Sequence, residues 1–218
     1  MCFSATASFT VASATGLVGA FTLSRVRNAR EVPLASIPLV FAAQQAIEGT
    51  LWIGLGAGAP LGLTSALANT FALIALAVWP VLSPAAAFLV ERVATRRAAM
   101  LLLLMIGIPV TAYGFWNTGA YPYNVCIVSR TLSYTSGSPY PPLALGAYFA
   151  CTVLPMLLSS QNALRVFGAI IALGLGVSLA IYYVAFVSVW CFFAAAASVT
   201  LAVHFSLKHA RANLVLTH

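Results

Sequence analysis

Charge is what this sequence has least of. Only 6% of its 218 residues are charged, with three acids, a single lysine (Lys208) and no aspartate anywhere. A soluble domain carries about 25% charged and about 45–50% apolar residues. Here 62% are apolar, so the chain cannot clothe a water-facing surface in polar groups. The same balance excludes intrinsic disorder, which needs low hydrophobicity and high charge. Four cysteines do not make a disulfide-dense mini-protein. Metal chemistry is equally short of material. There is no HExxH and no cysteine-rich ligand set, and His204 and His209 stand five apart rather than the three or four that put two imidazoles on one helix face. Neither a catalytic metal nor a bound cofactor is expected, and no residue is assigned a catalytic role.

The charges present are informative by position. The formal balance is +7, which in a soluble protein suggests acidic or nucleic-acid partners. Arg25, Arg27 and Arg30, then Arg92, Arg96 and Arg97, then Arg165, then Lys208 and Arg211 fall in alternate connections between apolar runs. Only Arg130 falls in the opposite set. That is the positive-inside pattern of a multi-pass membrane protein, so the basic excess reports topology and no nucleic-acid partner is expected.

Seven apolar runs are present, over 6–24, 33–56, 63–90, 98–116, 143–160, 164–184 and 186–207. Each approaches or exceeds the roughly 20 residues that cross about 30 Å of hydrocarbon as a helix. The expected fold is therefore all-α: a polytopic seven-helix membrane bundle forming one domain over 1–218, N-terminus outside and C-terminus cytoplasmic. Small residues recur every four positions at Ala12, Gly16 and Ala20, at Ala172, Gly176 and Ala180, and at Ala194, Ser198 and Ala202. Such stripes favour close helix packing. Prolines at 38, 80, 84, 109 and 155 should bend their helices, and Pro80 with Pro84 is expected to break the long third run into a helix and a half. A shift of 134 residues lays 27–49 on 161–183 with eight identities, among them Asn28 on Asn162 and Ile47 on Ile181. That is a weak signal for a three-plus-one-plus-three repeat of the kind found in carriers.

Glu48 is the acid inside a span. Ionisable groups there cost about 2.5–3.5 kcal/mol on insertion scales and usually face the bundle with a partner or a task. Gln44, Glu48 and Trp52 are spaced by four on one face, with Gln45 flanking the acid. At about 1.5 Å per residue, Glu48 lies roughly 12 Å below the outer surface. Asn69 and Tyr113 fall in the same outer half, with Tyr182 and Trp190 nearer the rim. An outward-facing polar pocket of these eight residues is expected, in which Glu48 binds a cation or a proton-coupled solute. The plainer alternative is a neutral carboxyl hydrogen-bonded between helices.

The only long connection, 117–142, mixes β-branched and polar residues before Thr-Ser-Gly-Ser-Pro, which predicts a short hairpin turning near Gly137. Arg130 and Tyr134 are candidates for a lid over the pocket. Cys2 and Cys126 both fall outside, where an oxidising space permits a disulfide between them; free thiols or a soft-metal site are the alternatives. Cys151 and Cys191 read as small buried hydrophobes. The lone lysine at the cytoplasmic edge excludes a retinal Schiff base in mid-membrane, although the seven-helix outline resembles that of rhodopsins.

The opening Met-Cys-Phe-Ser-Ala-Thr-Ala-Ser-Phe, with Gln44-Gln45-Ala-Ile-Glu48-Gly-Thr-Leu-Trp52, resembles a family of small bacterial multi-pass membrane proteins classed as a domain of unknown function. The resemblance implies a bacterial inner-membrane location but no activity. It suggests that the Cys2 segment and the Glu48 face form one unit, with Phe3 as a plug. The sequence is thus read as a carrier or channel for a small solute or ion. The alternatives are a sensor or accessory subunit needing a partner membrane chain, and a metal or redox protein using Cys2 and Cys126. Partners expected are the lipid bilayer, the solute, and a second copy or partner subunit.

Overall fold

The structure is a computed structural model that describes residues 4–128, 130–138, 140–181 and 186–216. Seven helical rods account for most of it: α1 (Ala5–Ser24), α2 (Val32–Gly56), α3 (Leu61–Val90), α4 (Ala94–Ala120), α5 (Pro142–Leu157), α6 (Asn162–Ile181) and α7 (Phe186–Leu216). Between α4 and α5 lies an antiparallel pair, β1 (Asn124–Val128) and β2 (Thr131–Thr135). Four rods, α1, α3, α4 and α6, are long and apolar enough to cross a membrane. Cys2, Phe3 and Tyr182 lie outside the described residues, and so does the side chain of Cys191.

The rods pack in a ring in which α1 lies along α2 and α7, α7 along α6, and α5 between α6 and the α3–α4 pair. The closest approaches use glycine, although not always where a four-residue stripe would put it. On α1 the buried face is Ser8, Thr15, Gly19 and Thr22, rotated from the expected Ala12 and Ala20. A Cβ on Gly19 would lie 2.5 Å from the Leu39 side chain, and one on Gly49 2.8 Å from the Phe9 ring. On α6 the close contacts fall at Gly168 and Gly174 rather than Gly176. On α7 the expected Ala194 and Ser198 are indeed buried.

Residues 61–90 form one continuous rod, not a broken pair. Pro80 removes an N–H from the ladder, and the helix answers by widening into a π turn over Ile74–Val78. Carbonyls in the widened turn find donors on neighbouring rods. The Tyr148 hydroxyl of α5 donates to Ala75 O at 2.7 Å, and the Thr111 hydroxyl of α4 donates to Ala77 O at 2.7 Å. Elsewhere the same device recurs, with Thr22 donating to Ala35 O between α1 and α2, and Ser83 to Thr152 O between α3 and α5, both at 2.7 Å. Each such bond contributes about 0.5–1.5 kcal/mol.

The hairpin forms inside the expected loop, but its turn lies between Val128 and Thr131 and not near Gly137. Arg130 takes the left-handed backbone there, with φ 61°. The register is set by burial of β2, whose Thr131, Leu132 and Ser133 are all buried while β1 is largely exposed.

The α3–α4 contact gives a matched test. A Cβ on Gly107 would sit 1.9 Å from the Pro80 carbonyl oxygen, a backbone atom that cannot swing away, whereas one on Gly146 meets nothing within 4 Å. Gly107→Ala is expected to lower stability by about 1–3 kcal/mol through overpacking. Gly146→Ala should raise it by up to about 1 kcal/mol through helix propensity. Unfolding curves of the purified protein in detergent check both.

Candidate functional site

Helix α2 carries Gln44, Gln45 and Glu48 into the interior, where they are 0%, 1% and 0% exposed. Buried polar groups usually find partners, and here most of them do. The Gln45 amide donates from Nε2 to Glu48 Oε2 at 3.0 Å, and the Tyr134 hydroxyl donates to Glu48 Oε1 at 3.4 Å. One turn along, Gln44 Oε1 accepts from the Trp79 indole at 3.0 Å, and the Trp79 ring stacks on Phe41 at 4.2 Å. Because Gln45 points its nitrogen at the carboxyl, its oxygen is left over. That oxygen is buried with no hydrogen-bond partner among the described residues, as is the Trp52 indole nitrogen.

The hairpin therefore reaches the acid directly. Tyr134 projects from β2, and its ring lies parallel to Phe71 of α3 at 4.7 Å. Leu132, wholly buried, anchors the same strand. Asn69 of α3 accepts from the Tyr123 amide at 2.7 Å, and Ser65 donates to the Tyr123 carbonyl at 3.1 Å, which together hold the start of the hairpin.

The other expected pocket residues have different company. Tyr113 lies edge-on to Tyr140 at 5.2 Å and accepts from Asn117 at 3.4 Å. Asn117 is fully buried and also donates to Ser138. Burial first, and neighbouring phenols second, push the Tyr140 hydroxyl up to about 12 and that of Tyr123 upward as well, so both remain neutral. Trp190 donates to Ile171 O at 3.0 Å and packs on Tyr148 and Phe149. These rings line a small apolar cavity of about 50 Å³ between α2, α3, α5, α6 and α7. Hydroxyl and indole groups around it donate to backbone or to Gln44 and not into the cavity. Arg130 is exposed at the hairpin turn. Cys126 is an exposed thiol on β1 whose sulfur lies 4.0 Å from the Ser133 carbonyl across the pair, and no disulfide is seen among the described residues; Cys2, the expected partner, lies outside them.

The opposite end of the bundle holds what sequence reading missed. Glu31 and Glu91 are also buried, at 8% and 4% exposure. Glu31 takes the ammonium of Lys208. Glu91 accepts from the amides of Arg92 and Val93, both at 2.9 Å, from the Ser160 amide at 2.7 Å and hydroxyl at 2.5 Å, and from the Ser159 hydroxyl at 3.1 Å. It thereby holds the α3–α4 connection and clasps the α5–α6 connection. Burial alone would raise its pKa, but the bonds from Ser160, Val93 and Arg92 outweigh that and bring it to about 2. The signal available was slight: an acid just before a basic helix start. Beside these two acids opens a polar basin of about 860 Å³.

Against known proteins, one family model matches residues 1–214, nearly the whole chain. The chain belongs to a family of unknown function, DUF6629. No curated protein and no solved structure matches it. The resemblance noted from the opening residues and the Glu48 stretch thus agrees with a DUF6629 match of nearly full length, and DUF6629 brings no reaction or substrate with it.

Glu91 carries a pH prediction. Its folded pKa lies below the ordinary value of 4.5, so its contribution is complete above about 4.5 and is lost as pH falls through about 2. The contribution is on the order of 2 kcal/mol after allowance for the open basin beside it. Glu91→Gln should be less stable by about that amount at neutral pH, and the gap should close as pH falls from about 4.5 toward 2. Thermal unfolding across that range measures it.

Proposed function

We propose that this chain is an integral protein of the bacterial cytoplasmic membrane, crossing it seven times with its N-terminus outside. It acts as a carrier or channel that takes a small cationic or hydrogen-bond-donating solute at Glu48. Support for the membrane comes from four long apolar rods and from α4, which leaves Leu102 63%, Met105 58% and Ile108 50% exposed. A face of that kind suits lipid and not water. Support for the orientation comes from the gathering of Arg30, Arg92 and Lys208 around one basin while Arg130 sits on the hairpin at the other end.

The observation that carries the solute reading is the bond from Tyr134 to Glu48. A wholly buried acid is closed off by a residue of a surface hairpin, not only by its own helix. Next to it the leftover Gln45 oxygen adds a second acceptor. A carboxylate beside an amide oxygen is completed by a cation or a donor, and Tyr134 must leave for one to arrive. Asn69 serves this reading by holding the hairpin in register.

Two experiments bear on it. Titrating the purified protein with inorganic cations and small amines should identify one that stabilises it, by about 2.7 kcal/mol at a hundred times Kd. Glu48→Gln should abolish that response, while Tyr134→Phe should keep it. If Glu48→Gln responds like the unmodified protein, the acid is structural and the accessory-subunit reading takes over. For topology, a variant retaining Cys126 alone should react with a membrane-impermeant maleimide in right-side-out vesicles and resist it in inverted ones.

A further inference from the structure

The polar basin at the basic end is far larger than the apolar cavity in the bundle, and its volume of about 860 Å³ falls within the range of ligand sites, about 300–1,000 Å³. Its two acids are already satisfied, Glu91 by five hydrogen bonds and Glu31 by Lys208. What distinguishes the basin is the state of its arginines. Among the described side chains, the other guanidinium groups at this end are engaged. Arg25 lies over the Phe21 ring at 5.1 Å and Arg97 over Phe88 at 4.5 Å. Arg96 donates to the Leu158 and Ser159 carbonyls at 3.2 and 2.8 Å, Arg27 meets His209 at 3.3 Å, and Arg165 meets Asn162. The guanidinium groups of Arg30 and Arg92 have no such partner among the described residues, and both line the basin. They come from different connections, one before α2 and one before α4, so no local motif explains the pairing.

Charge and shape narrow the ligand. Arg30, Arg92 and Lys208 against Glu31 and Glu91 leave one net positive charge in the basin, with His204 neutral, which a single phosphodiester would cancel. Guanidinium groups match phosphate oxygens in bidentate geometry. The wall is also partly apolar: Val203 and Leu207, one turn apart on α7, line the basin and remain 53% and 56% exposed. Basic pockets between helices at the cytoplasmic side hold lipid headgroups in this way.

We propose that the basin binds a phosphate-bearing anion, with Arg30 and Arg92 as its cationic ligands and an anionic phospholipid headgroup as the occupant whose acyl chains run along Val203 and Leu207. The site is independent of Glu48 and of any solute bound there.

The test uses the full chain in phosphatidylcholine nanodiscs doped with phosphatidylglycerol, reading retained lipid by native mass spectrometry, with inorganic phosphate added as a soluble competitor. The protein should retain phosphatidylglycerol over phosphatidylcholine. The double variant Arg30→Gln/Arg92→Gln should lose that preference by about tenfold or more, Arg30→Lys/Arg92→Lys should keep part of it, and Arg130→Gln, which removes one charge from the other end, should keep all of it. Release of the lipid by millimolar phosphate would identify a soluble phosphate ester as the natural occupant of the same site. The proposal is overturned if neither phosphatidylglycerol nor phosphate binds, or if the Gln double variant, folded by its unfolding curve, binds as the unmodified protein does.

Discussion

A carboxylate taken out of water has to be met by donors inside the protein, and this chain places all three of its carboxylates that way. Each is met by a partner distant in sequence. Glu31 meets Lys208 across 177 positions, Glu48 meets Tyr134 across 86, and Glu91 meets Ser160 across 69. The acids thus act as fasteners. Glu31 ties the α1–α2 connection to α7, Glu91 ties the α3–α4 connection to that between α5 and α6, and Glu48 ties α2 to the hairpin. Leaving a buried charge unpaired costs about 3–5 kcal/mol, so a bundle with few charged groups is sensitive to each of them. The same logic governs the neutral groups. Hydroxyls of Thr22, Ser83, Thr111 and Tyr148 all donate to carbonyls on a neighbouring rod.

The rods were legible because an apolar run of about twenty residues has few alternatives, and the observed ends fall within a few residues of the expected ones except at the C-terminus of α7. The interior of α3 was not. Whether Pro80 breaks a helix or widens it depends on whether something can take the freed carbonyls, and those donors, Tyr148 and Thr111, lie on other rods. Composition announced the hairpin, but its register followed the burial of Leu132 and not the glycine at 137. Periodicity offered small-residue stripes without saying which face of a helix meets a neighbour, so Gly19, Gly107 and Gly174 emerged only from the packing.

For the candidate site, the polar face of α2 could be read because two glutamines and a glutamate in five residues stand out in an apolar helix. Tyr134 was named as a covering residue, yet its bond to the acid needed the fold. The role of Glu91 was barely legible, for a different reason. Its partners are mostly backbone amides and serines at two connections, and nothing in those residue types marks them as belonging together until α5 and α6 bring them there.

The contact at Gly107 reaches beyond packing. Helix α4 rests on the backbone of α3 at Pro80 and Leu76, and α5 joins α3 through Tyr148 and Ser83. On the other side α1 and α2 interlock through Gly19 and Gly49. Two stiff bodies result, and the Trp79–Gln44 and Tyr134–Glu48 bonds span the seam between them. Interlocked backbones slide poorly, whereas a side-chain bond can break and re-form, so the seam at the acid of α2 is held by the more readily exchanged kind of contact.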